Sequence, residues 1–174
     1  NLRSAYGLEM TQEMVRATAR RVFENFGKVL FEVCWAWHLP EKKLLRHFRV
    51  KGLVHMQRAC RKNRGVLALT GHFGNWELLS VVVAFLDRPI SIVYRPLDFS
   101  PLSRFVEAFR MRFGAGLIHR RRAMRSILSN LKEGGIVAIL LDQSVDWYEG
   151  VFVDFFGRRR SEERRVGKEC RSRW

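Results

Sequence analysis

Leu67-Ala68-Leu69-Thr70-Gly71-His72-Phe73-Gly74-Asn75-Trp76-Glu77-Leu78-Leu79 is the stretch whose reading decides the fold. Val66 to Leu69 is a short apolar run that predicts a buried strand. Thr70 and Gly71 interrupt it, and an apolar, helix-like run follows through Leu86. A strand, a glycine turn and a helix start put His72 at the carboxyl end of a strand, where open α/β sheets carry their chemistry. Gly71 and Gly74 bracket the histidine and let another molecule approach the backbone closely.

The spacing His-x4-Glu has a chemical reading. Histidine is the usual general base near neutral pH. A carboxylate that fixes its tautomer and stabilises its charged form improves it, as in acid–His–Ser acyl transfer. Positions five apart do not face each other on a regular helix, where three and four apart meet. His72 is therefore expected on the loop, with Glu77 reaching back from the start of the helix. Spacing alone is equally compatible with a capping histidine and a surface glutamate.

Outward from this stretch, other apolar runs alternate with helical patterns. Towards the C-terminus, Ile90 to Tyr94, Leu117-Ile118 and Ile136 to Leu141 read as strands, and Pro101 to Met111 and Ala123 to Leu131 as helices. Such alternation predicts a largely parallel α/β sheet flanked by helices. Towards the N-terminus, Asn1 to Met10 reads as a frayed lead-in, and Thr11 is the expected N-cap of a long helix that Pro40 ends. Along it Phe23, Phe26, Val29, Leu30, Val33 and Trp37 recur at three- and four-residue steps, which fits a core-facing helix. The alternative, on the aromatic content and the flanking cations, is a helix lying in a membrane interface. Glu41 to Arg49 reads as a short basic helix, Val50 to Val54 as a strand and His55 to Asn63 as a helix.

The longer string His72-Phe73-Gly74-Asn75-Trp76-Glu77 resembles the His-x4-Asp/Glu block of the lipid A biosynthesis acyltransferases, Kdo-dependent enzymes of the lauroyl/myristoyl type within the wider glycerolipid acyltransferase superfamily. The resemblance continues in order through Val93-Tyr94-Arg95-Pro96, Arg110, Ile139-Leu140-Leu141-Asp142-Gln143 and the segment from Gly150 to Gly157, covering roughly Val22 to Arg159. It implies a glycerolipid-acyltransferase-like sheet, incomplete at both ends, in a partial domain over residues 1–159.

The resemblance implies a function as well. A fatty acyl chain would pass from an acyl carrier protein thioester to a hydroxyl of a lipid A precursor, at the cytoplasmic face of a bacterial inner membrane, with no cofactor and no metal. His72 would act as the base and Glu77 would orient it. Arg95 and Asp142, each just past a strand, are expected to converge on His72 and contact substrate. Arg110 carries over as a substrate-binding residue from the resemblance alone. Gly74, whose backbone N–H is a candidate oxyanion donor, and Asn75 complete the substrate-contacting set. Each of the arginines also reads as a solvated surface charge, and Asp142 as a helix cap. Arg120-Arg121-Arg122 suggests a phosphate- or carrier-facing patch. No Ser or Cys sits in a nucleophile elbow, so no acyl-enzyme is expected.

The formal net charge of +15 calls for an anionic partner. Nucleic acid is one class; an anionic membrane surface or an acidic carrier is another. The aromatics cluster with apolar residues, and no zinc-finger, helix-turn-helix or RNP-like string occurs, which favours membrane and acidic substrate. The alternatives left open are an acyl-CoA-dependent enzyme acting on another glycolipid or a lysophospholipid, and a basic nucleic-acid binder in which His72 is structural. Three widely spaced cysteines, Cys34, Cys60 and Cys170, give no disulfide framework and suggest a reducing compartment. His38, His47 and His55 show no ligand-like spacing.

Residues 160–174 lack apolar period and turn logic and read like the in-frame translation of a common sequencing adapter. They are expected to be a non-native tail, poorly packed, that supplies three of the fifteen net positive charges.

Overall fold

The structure, a computed structural model, describes residues 2–62, 64–121, 123–143 and 150–163. Arg122 and everything beyond Glu163 in the expected tail lie outside the described residues. The chain forms two compact units, a central one over Glu32–Leu140 and a second made from the segments on either side of it.

The central unit carries a four-stranded sheet in the order β1-β4-β2-β3. The strands are β1 (Val66–Thr70), β2 (Ile90–Tyr94), β3 (Gly116–His119) and β4 (Ile136–Leu140), and every pairing is parallel. The α/β expectation therefore holds. β2 and β4, the unbroken apolar runs, occupy the middle, and Ile90, Val93, Ile136, Val137 and Ile139 are buried, as strands covered on both faces require. β1 corrects its expectation in part: it forms, but as an edge strand with Leu67 and Leu69 exposed, because it has only β4 beside it. Gly65 leads into it so close to the Ala123–Lys132 helix that a Cβ there would overlap the Leu131 carbonyl.

Around the sheet lie α3 (Glu41–Leu45), α4 (Leu53–Cys60), α5 (Ser100–Met111), α6 (Ala123–Lys132) and the C-terminal end of α2 (Gln12–His38). Val33, Ala36, Leu44, Cys60, Val81, Phe109, Phe113 and Ile136 form one buried core. Phe109 is fully buried, and burial of a side chain of that size contributes roughly 1.5–3 kcal/mol. The segment Val50 to Val54 is not a strand. Gly52 takes a left-handed φ of 76° and starts α4 at Leu53, because the apolar run is broken by Lys51-Gly52. The run after the motif is a 3₁₀ helix, Trp76–Phe85, rather than an α-helix.

The second unit begins with α1 (Leu2–Tyr6) and a 3₁₀ turn (Gly7–Glu9), where a frayed lead-in was expected. Thr11 caps α2 as predicted, its Oγ1 accepting the Met14 N–H at 3.2 Å. Beyond Leu140 the unit holds an antiparallel hairpin, β5 (Gly150–Phe155) with β6 (Arg158–Glu163). Its two-residue loop, Phe156-Gly157, has φ of 51° and 65°, the left-handed pair that a tight hairpin turn needs. The Phe156 ring stands 5.2 Å from that of Tyr6.

Candidate active site

In a parallel sheet all carboxyl ends lie along one edge. His72 follows β1 there, Arg95 follows β2 and Arg120 follows β3. The chain turns sharply at His72, where the Phe73 N–H donates to the Gly71 carbonyl at 2.8 Å, a three-residue turn centred on the histidine. Gly74 then takes a φ of 54°, which a side chain would strain. This double bend throws Phe73 into solvent, 90% exposed, and starts the 3₁₀ helix with Glu77 in its first turn. Ser80 holds that turn, its hydroxyl donating to the Glu77 carbonyl at 2.8 Å.

Glu77 is held at both carboxylate oxygens. Arg110, on the last turn of α5, grips it with a two-pronged fork: Nε donates to Oε2 at 2.8 Å and Nη2 to Oε1 at 2.7 Å. The Trp76 indole N–H donates to Oε1 at 3.1 Å. Both charged side chains are largely withdrawn from water, 14% exposed for Glu77 and 17% for Arg110. Such charge-assisted, bidentate pairs combine strength with a fixed geometry. The Trp76 ring in turn meets the half-buried His72 ring edge-on, centroids 5.1 Å apart. His72, Trp76, Glu77 and Arg110 thus form a continuous chain of contacts at the sheet edge.

Tyr94, the last residue of β2, lies beside this chain, with the Arg110 guanidinium 6.0 Å from its ring centre. Burial, and then the nearby Glu107 carboxylate, raise its phenol above the ordinary tyrosine range, against a lowering by Arg110. Arg112, two residues beyond Arg110, ties the end of α2 to α5. Its guanidinium donates to the carbonyls of Ala36 and Trp37, each at 2.8 Å, and to that of Leu39.

The remaining expected site residues fall out as follows. Asn75 donates to Glu32 Oε2 on α2 at 2.8 Å, tethering the His72 loop to that helix. Arg95 is 66% exposed and donates to Asp98 at 3.0 Å. Asp142 is exposed, two residues past β4. Sequence reasoning named Glu77 and Arg110 but not their direct pairing, which spans 33 residues of chain. It also missed Trp76 as a bridging donor, Glu32 as a tether and Arg112 as a clamp. Only the position of Trp76 inside the motif gave any signal. Among the described residues no group of three His, Cys, Asp or Glu side chains is arranged to hold a metal ion, and no helix is long and apolar enough to cross a membrane.

The fold is a parallel α/β sheet with a His-x4-Glu turn at its carboxyl edge, the glutamate gripped by an arginine. The chain belongs to the bacterial lipid A biosynthesis acyltransferase family, whose model matches residues 1–165. It is 30% identical over 156 residues to the lipid A biosynthesis palmitoleoyltransferase of Escherichia coli (strain K12), covering 90% of this chain and 50% of that protein. The lauroyltransferase of the same organism is 28% identical over 149 residues, 85% of this chain and 48% of that protein. A lipid A biosynthesis acyltransferase of Haemophilus influenzae is 22% identical over 148 residues, 84% of this chain and 46% of that protein. The chain thus spans about half the length of the curated relatives it matches.

Proposed function

We infer that this protein transfers a fatty acyl chain from a thioester to a hydroxyl of a lipid A precursor, with His72 as general base. The observation that carries the reading is the clamped carboxylate: Glu77 is fixed by Arg110 and Trp76, and Trp76 abuts His72. In the proposed step, the imidazole takes the acceptor hydroxyl proton as the oxygen attacks the thioester carbonyl. The new C–O ester bond forms, the C–S bond breaks, and the imidazolium returns the proton to the departing thiolate. Glu77 stabilises the imidazolium, directly or through one water. Positive charge at Arg110 and N–H groups of the Gly74 turn serve the developing oxyanion. Arg95, Asp142 and Asn75 are the proposed contacts to substrate headgroups.

The proposed donor is an acyl carrier protein thioester, and the acceptor sits in an inner-membrane leaflet on the cytoplasmic side. Support for membrane contact comes from α2, where Phe23 and Phe31 are 79% and 81% exposed among neighbouring Arg and Lys residues. An exposed aromatic face flanked by cations suits the headgroup boundary. Family membership favours this reading over a nucleic-acid binder.

Acyl transfer from a carrier thioester to a lipid A precursor, followed by mass spectrometry of the lipid, tests the proposal. His72→Ala is expected to lower turnover by about 10²–10⁴, the usual worth of general-base help, and to leave the far-ultraviolet circular dichroism unchanged. Full activity in His72→Ala would refute the mechanism.

A further inference from the structure

The charge of the central unit is concentrated in one place. Residues 41–65, which include α3 and α4, carry nine of the chain's 32 Lys and Arg residues and a single carboxylate, Glu41. All nine cations are exposed, Lys42, Lys43, Arg46, Arg49, Arg58 and Arg61 among them. Among the described residues, none of the nine has a carboxylate within ion-pair distance, whereas Arg20, Arg95 and Arg110 do. Leu44, Phe48, Met56 and Cys60 of the same segment all pack into the one core. Both helices therefore turn an apolar side to the core and their cations to solvent. Like charges gathered on one surface oppose folding, and an outside counter-charge relieves that repulsion.

The segment lacks what a lipid-inserting surface needs. Its exposed large hydrophobic residue is Val54, and Phe48 is turned to the core. By contrast, α2 exposes Phe23, Phe26, Phe31 and Trp35, and the His72 loop exposes Phe73. A broad, basic, aromatic-poor surface matches an acidic protein face, where complementary charge steers docking.

We propose that α3, α4 and the residues around them form the docking surface for a soluble protein partner with a strongly acidic face. On the acyl-transfer reading above, on which this identification rests, that partner is the carrier that delivers the acyl thioester. The basic surface belongs to the same unit as His72 and Glu77 and flanks the helix whose Glu32 tethers Asn75. Docking here and chemistry at the sheet edge are then properties of one folded unit.

The test uses a fluorescently labelled acyl carrier protein bearing a medium-chain thioester, with binding followed by anisotropy over a range of salt concentrations. The wild-type affinity is expected to fall steadily as salt rises. Lys42→Glu/Arg46→Glu/Arg58→Glu/Arg61→Glu is expected to weaken binding by about tenfold or more at low salt. The corresponding four-fold Gln variant should weaken it less, in the same direction, with circular dichroism like the wild type and a melting temperature no lower. Flotation with anionic phosphatidylglycerol vesicles should be alike for all three proteins. Equal carrier affinity in wild type and Glu variant overturns the proposal. So does loss of vesicle binding with carrier binding intact, which would make this a lipid-facing surface. Acyl transfer is assayed in the same samples. Charge-dependent carrier binding without any transfer would sink the catalytic reading and leave the docking surface standing.

Discussion

Three N–H groups converge on the Glu77 carboxylate, two from Arg110 and one from Trp76, and this fixes where the motif can act. Removing one partner of a withdrawn ion pair leaves an uncompensated charge, a loss of about 3–5 kcal/mol for fully buried pairs. Arg110→Met should approach the lower end of that range in thermal unfolding, because 17% of the Arg110 side chain and 14% of Glu77 still meet water. Arg110→Lys keeps a cation but cannot fork across both oxygens. It should fold and still lose at least tenfold in turnover, an effect of the size that misplacing a positioned group produces. A double variant, Glu77→Gln/Arg110→Met, should recover part of the stability lost by Arg110→Met alone; strict additivity would show that the pair does not couple. Tyr94 supplies a pH test beside the same site. Its phenol is raised above the usual value of about 10, so the neutral form is favoured in the folded protein. The stability at stake is fully present below that usual value and is lost as pH rises through the raised one. Tyr94→Phe should therefore flatten the alkaline fall in melting temperature. A fall unchanged by the substitution would assign it to another group.

At the scale of the element, legibility followed burial. β2 and β4 read correctly because unbroken apolar runs have few alternatives to a covered strand, whereas β1 read as buried and proved to be an edge. The β5–β6 hairpin gave little signal, since Arg-Arg-Arg-Ser-Glu-Glu has neither apolar alternation nor a favoured turn pair, and Phe156 is an unusual occupant of a left-handed position. Contacts between distant residues, Glu77 with Arg110 and Asn75 with Glu32, obey no local period and could not be read from spacing. Helix α2 shows both sides of the matter. Its three- and four-residue pattern fitted a core-facing helix; of those residues Val29 and Val33 are buried, but Phe23, Phe26, Leu30 and Trp37 are exposed, and so is Phe31. The exposed group is the one to test on membranes. Trp37 is a poor choice for substitution, because its ring packs on Phe105 and takes the Arg112 guanidinium over its face. Phe23→Ser/Phe31→Ser should fold normally and float less well with anionic vesicles. Burial in an apolar phase contributes roughly 1.5–3 kcal/mol for each such side chain, so even partial insertion predicts a clear shift. Equal flotation would move the membrane contact away from this face.

For the molecule as a whole, the open question is where the folded chain stops. The expectation drawn at residue 160 cuts through β6, whose pairing runs from Arg158 opposite Phe155 to Glu163 opposite Gly150. The family match ends close by, at residue 165. A strand of a two-stranded sheet has no other neighbour, so removing it exposes the N–H and C=O groups of β5 that it had paired. A two-stranded hairpin is marginal even when intact. Two deletions separate the possibilities. Removing residues 164–174 should leave the melting temperature unchanged if that stretch is foreign to the fold, as its lack of apolar period suggests. Removing 160–174 should leave the central unit, with its own sheet and core, melting as before, while hydrogen exchange at Gly150 to Val153 accelerates as their partners are lost. A drop in melting temperature on removing 164–174 would show that those residues pack in the native protein, and the reading of a foreign tail would fall with it.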